Sequence, residues 1–167
     1  MIFKYILQLI ILMNIYYDIN NVNHQNIHFY KPVSNKIPHY KYFYKLLYDD
    51  KIFTLNTLII NVNLTNYIVE EMNTYNVTLN YSIDFLESIK VLEQNILKKL
   101  NSNKISIFNC YKYMLHNKTY ILPQNTDTIN VTLRISGIWE TDTTIGLTTK
   151  LYINNYPLVI KIPINCC

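Results

Sequence analysis

Lysines interleaved with flat rings are the side chains here best suited to a specific chemistry. Between Phe29 and Phe53, Lys31, Lys36, Lys41 and Lys45 are mixed with Tyr30, His39, Tyr40, Tyr42, Phe43, Tyr44 and Tyr48. Ammonium groups neutralise phosphates and aromatic faces stack on bases, each stacked base contributing about 1–3 kcal/mol, so the mixture suits unpaired nucleic acid. A second group comprises Arg134, Lys150 and Tyr152, with Trp139 close by; these are the only Arg and the only Trp. Each group also has a plainer reading. The first is then a Tyr-rich strand with solvated lysines. In the second, Trp139 plugs one end of a barrel and Arg134 pairs with Glu140 or another surface acid.

Other chemistry finds little support. His24 and His28 are four residues apart, but no acid or Cys flanks them closely, so a metal site is not expected. Asp49-Asp50 and Glu70-Glu71 are adjacent pairs, and neighbours on a strand point to opposite faces, which makes them poor acid/base partners. With 2 Gly in the chain no glycine-rich phosphate loop can form. No Ser, Cys or His falls in a nucleophile motif. A non-catalytic binding protein is expected, without metal or cofactor.

The elements that must position these groups are legible from periodicity. Residues 40–48 alternate, with Tyr40, Tyr42 and Tyr44 on one face and Lys41, Phe43 and Lys45 on the other. Tyrosines at alternate positions would make a stacking platform. Residues 52–64 and 75–81 also read as strands. Ser82 then caps a helix, with Asp84 and Glu87 in its first turn. Phe85, Leu86, Ile89, Leu92, Ile96, Leu97 and Leu100 form its apolar stripe, and Asn101 stops it. Short strands are expected near 105–115 and 119–122, better ones at 128–136 and 144–153, and a last one at 158–164. Gly137 to Thr143 reads as a loop carrying Trp139 and Glu140. The fold expected is mostly β with one central amphipathic helix, an α+β chain in strands–helix–hairpin order. That order fits a five-stranded OB-like barrel, a sandwich or another α+β arrangement. Residues 1–24 read as a hydrophobic segment with a polar connector at 17–26, and 25–165 as the β domain.

At 167 residues the chain suits one domain. It holds 26 Ile, 23 Asn, 16 Tyr and 14 Lys but no Ala, a skew toward A/T-rich codons that points to an AT-rich genome. The net charge of +4 favours a polyanionic partner. Three Cys cannot all pair within one chain, which suggests a reducing compartment. Met1 to Met13 looks like a short signal peptide, but Gln8 interrupts it and no small residue follows before Ser34, so a buried strand or helix is the preferred reading. Five sequons, at Asn63, Asn76, Asn80, Asn117 and Asn130, are the counter-argument for secretion. The terminal Cys166-Cys167 is read as two free thiols.

The segment Val131 to Tyr152 resembles a hairpin of the virus-encoded OB-fold single-stranded-DNA-binding proteins of large eukaryotic DNA viruses, distantly akin to the phage T7 type. Ser136-Gly137-Ile138-Trp139-Glu140 carries the likeness, with Gly146-Leu147-Thr148 and Lys150 after the turn. Phe29-Tyr30-Lys31-Pro32 and the Tyr-rich strand match more loosely, and residues 27–153 are covered. The resemblance implies an OB-like barrel that binds single-stranded DNA in viral DNA replication, in the nucleus or a cytoplasmic replication site of an infected cell. Replication proteins and a second copy of the chain are further candidate partners. Phage-type relatives often end in an acidic tail, whereas this chain ends Lys161-Ile162-Pro163-Ile164-Asn165-Cys166-Cys167, and its hydrophobic start is unusual for a replication protein. The expected site is Lys41, Lys45, Arg134 and Lys150 on phosphates, with Tyr40, Tyr42, Tyr44, Trp139 and Tyr152 on bases. The main alternative is a secreted or membrane-associated viral β-sandwich protein that binds a host protein or glycan. A self-associating structural protein is the third reading.

Overall fold

The computed structural model describes residues 15–50, 53–71, 75–116, 119–122, 128–153 and 156–157. The hydrophobic start (1–13), the last expected strand (158–164) and the terminal Cys166 and Cys167 lie outside them. The described chain is mostly β, with strands β1 (Ile27–Phe29), β2 (Val33–Ser34), β3 (Tyr42–Asp50), β4 (Phe53–Leu55), β5 (Leu58–Asn61), β6 (Leu64–Glu71) and β7 (Tyr75–Tyr81) before helix α1 (Ile83–Lys98). After it come β8 (Ile105–Ile107), helix α2 (Asn109–His116), β9 (Thr119–Leu122), β10 (Val131–Glu140), β11 (Thr144–Ile153) and β12 (Tyr156–Pro157). The described strands form a nine-stranded sheet around β3, β10 and β11 and a separate three-stranded sheet of β6, β7 and β9.

The large sheet curls because its longest strands change neighbours along their length. The first half of β10 (132–135) pairs with β5, and its second half (137–140) pairs with the start of β3. Beyond Lys45, β3 leaves β10 and pairs with β1 and β4. Leu46, Tyr48, Leu58, Ile60, Val131, Leu133, Ile135, Ile138, Leu147 and Leu151 are buried in the core. Against them α1 buries Phe85, Leu86, Ile89, Leu92, Ile96 and Leu97, six of the seven residues of the stripe expected from the sequence; the seventh, Leu100, lies past the helix end and is half-buried against the core. The Ser82 hydroxyl accepts from the Phe85 N–H at 3.2 Å, and Asn101 ends the run in the left-handed region at φ 48°. Each device satisfies or redirects backbone groups that a helix end leaves free.

Several expectations are corrected. A second helix, α2, occupies most of the segment read as a strand at 105–115. Buried Glu93 accepts the backbone N–H groups of Cys110 and Tyr111, both at 3.1 Å, and so caps α2 from the body of α1. Residues 52–64 are broken into β4, β5 and the start of β6 rather than one strand. The polar stretch 17–26 forms two short 3-10 turns, with Tyr17 bridging to Ile60 and with Ile19 and Val22 buried. Among the described residues no helix is long and apolar enough to cross a membrane.

Candidate nucleic-acid interface

A β-bulge decides what the hairpin presents. The β10–β11 register shifts between Ile135 and Gly137. Up to Ile135 the odd-numbered residues of β10 face the core. Past the extra residue, Ser136, the even-numbered Ile138 and Glu140 do so. One inserted residue reverses the phase of a strand, so Arg134 and Trp139, of opposite parity, come to share the outer face. Gly137 to Glu140 is therefore strand, and only Thr141 to Thr143 remain as the connection.

Directly opposed residues of antiparallel strands project from the same face. Arg134 stands opposite Lys150, Thr132 opposite Tyr152 and Trp139 opposite Gly146. On the other side of β10, Gly137 stands opposite Lys45 and Trp139 opposite Phe43. The outer face thus carries Phe43 and Trp139 at one end, Lys45, Arg134 and Lys150 in the middle, and Tyr152 at the other end. From Trp139 to Thr132 it runs about 20 Å, at about 3.3 Å per residue. Lys45 lies 5.6 Å from the centre of the Tyr30 ring and Lys150 5.6 Å from that of Tyr152. Among the described residues none of these three cations has an ion-pair partner. The segments that build the face, 43–45, 59–61, 132–139 and 146–152, contain no acid.

Both glycines lie on this face beneath rings. A Cβ on Gly146 would stand 2.7 Å from Trp139 Cε2 and closer still to Cζ2, so the indole rests directly on the glycine backbone. Its Nε1–H donates to the Leu147 carbonyl at 3.1 Å, which holds the ring across β11. A Cβ on Gly137 would stand 2.7 Å from Phe43 Cζ. The Tyr40 ring meets Trp139 edge-on, with centroids 5.4 Å apart. Trp139 therefore does not plug a barrel end, and Arg134 does not pair with Glu140, which points the other way.

The tyrosine platform expected on β3 is not built. Alternation holds, but the tyrosine side continues into buried Leu46 and Tyr48. Tyr44 is turned to that side, and its hydroxyl donates to Glu140 Oε2 at 2.5 Å. Burial and this bond push its pKa up to about 12. Tyr42 stands opposite Glu140, and so on the face away from Lys45. Lys41 is exposed and paired with Asp142, whose hydrogen bond and charge raise its pKa. Glu140 also binds Lys104. Burial would raise the Glu140 pKa, but the bonds from Lys104 and Tyr44 and the lysine charges outweigh it and lower it. Of the nine expected site residues, Lys45, Arg134, Lys150, Trp139 and Tyr152 share one face and Tyr40 adjoins it; Lys41, Tyr42 and Tyr44 do not. Phe43 and Tyr30, which belong to the Phe29–Phe53 group of rings but not to the nine expected site residues, join the face. Phe43 shares its parity with Lys45 on β3, whereas Tyr30 meets Lys45 only through the pairing of neighbouring segments, its backbone N–H donating to the Lys45 carbonyl at 3.0 Å, which no spacing in the sequence signals.

Among the described residues no three His, Cys, Asp or Glu side chains converge to hold a metal ion. Comparison with protein-family models, with curated proteins and with solved structures finds no match.

Proposed function

We propose that this chain is a non-catalytic, largely sequence-independent single-stranded-DNA-binding protein acting in viral DNA replication. The carrying observation is the outer face of β3, β10 and β11: three cations without an ion-pair partner among the described residues, no acid in the segments that build the face, and rings at both ends. Lys45, Arg134 and Lys150 take phosphates, while Trp139, Phe43 and Tyr152 take base faces. An OB-like barrel is supported by the curl of the large sheet and by α1 preceding the β10–β11 hairpin. The test is a fluorescence titration with oligo-dT. Three phosphate contacts on a single strand give a log–log salt slope near −2, so affinity falls about 20-fold from about 50 mM to about 200 mM salt. Absence of binding at the lower salt refutes the proposal.

One observation favours the secreted reading. Asn63 and Asn130, the acceptors of two sequons, are exposed. Expression through a secretory pathway decides it: a glycosidase-sensitive mass shift supports that reading, and its absence supports DNA binding.

A further inference from the structure

Beyond the Tyr152 end of the cationic face lies an open groove of about 670 Å³ between the start of β6 and residues 129–131. It is continuous with that face, because Asn61 stands opposite Thr132, which stands opposite Tyr152. Its polar lining is Asn61, Asn63, Thr65, Asn66, Tyr67 and Asn130, and its apolar floor includes Val62, Ile129 and Val131. No lining residue is charged. Such a site offers no positive charge to neutralise a phosphate and no carboxylate to draw in a cation. Carboxamides present a donor and an acceptor side by side, the pattern that matches the hydrogen-bonding edge of a nucleobase. The volume lies within the usual range for small-ligand sites, about 300–1,000 Å³. The Asn66 Oδ1 accepts from Asn80 Nδ2 at 2.7 Å, which holds one amide of the lining in place from the neighbouring strand.

We infer that this groove receives one unstacked nucleobase by its edge, while the adjoining phosphates stay on Arg134 and Lys150. The inference rests on the proposed DNA-binding function and adds to it a base-edge subsite that a purely stacking and electrostatic binder lacks. It predicts where binding is sensitive to a missing base rather than to a missing charge.

The experiment is an abasic scan of the shortest dT oligomer that keeps full affinity, measured by fluorescence anisotropy. One position should lose about tenfold when its base is removed, the scale of a single base contact. In the Asn61→Ala/Asn63→Ala variant, intact oligomer should bind about tenfold more weakly, and removing that base should then cost less than about twofold. Both residues are exposed, so the variant should keep its circular dichroism spectrum and melting temperature; Asn61→Ala and Asn63→Ala singly provide the same test if the pair does not fold. A flat scan, or an equal loss in parent and variant, overturns the subsite while leaving the DNA reading intact. Failure of the parent protein to bind any oligomer at low salt overturns both. A neutral oligosaccharide that binds the parent but not the variant, beside a flat scan, overturns the base assignment in favour of a sugar site.

Discussion

Gly146→Ala tests the geometry of the candidate interface most directly. The new methyl would lie 2.7 Å from Trp139 Cε2 and 3.0 Å from Cη2, where carbon atoms need about 3.5–4.0 Å. The indole must move by about 1 Å. That stretches its 3.1 Å bond to the Leu147 carbonyl beyond hydrogen-bonding range. Overpacking costs about 1–3 kcal/mol and the lost bond about 1 kcal/mol, offset by about 0.5–1 kcal/mol from replacing glycine in a strand. The net is about 2 kcal/mol, or about 4–8 °C in Tm for a chain of this size. As the only Trp, Trp139 reports its own displacement. Its emission should shift to the red and the melting temperature should fall. Oligo-dT affinity should drop while the salt slope stays unchanged, since a ring and no cation has been moved. An unchanged emission maximum together with an undiminished Tm would refute the account of the ring lying on the glycine. Gly137→Ala should be worse, because its methyl would strike the Tyr44 backbone oxygen, and backbone yields less readily than a side chain.

Removing Lys45, Arg134 or Lys150 by Ala should each flatten the log–log salt slope by about 0.7, whereas Lys41→Ala, on the Asp142 pair, should leave it unaltered; equal effects from all four would remove the distinction drawn between them. Glu140 has a lowered folded-state pKa, so its stabilising contribution is present above the ordinary carboxylate range and is lost as pH falls through the folded value. Urea denaturation of Glu140→Gln between neutral and acid pH should therefore show a shallower acid decline than the parent. Glu93 behaves oppositely. Burial raises its pKa, against the backbone N–H groups of Tyr111, Cys110 and Asn109, so its contribution improves as pH falls through that raised value. Glu93→Ala, which leaves the Cys110 and Tyr111 N–H groups without their acceptor, should cost about 2 kcal/mol or more by chemical denaturation and reduce helical circular dichroism.

What the amino-acid order determined by itself is local. The α1 stripe, its Ser82 cap and its Asn101 stop are all set by spacing along one helix, and the alternation through residues 42–48 is a property of the pleat. The mostly β character and the placing of α1 ahead of strands β10 and β11 were equally plain, whereas the second helix was not. Tertiary structure decided which side of each strand is covered. Pairing of β3 with β1 and β10 places Leu46 and Tyr48 inside, and that carries Tyr44 inward and Lys45 outward, a choice the alternation alone leaves symmetric. The Ser136 bulge puts Arg134 and Trp139 on one face, although strict alternation from residue 131 would have set them on opposite faces. The α2 helix depends on Glu93, which supplies its N-terminal acceptor from 17 residues away in sequence, so residues 105–115 taken alone could read as strand. Periodicity reports contacts within an element; the face that meets solvent is settled by whichever other element arrives to bury its opposite side.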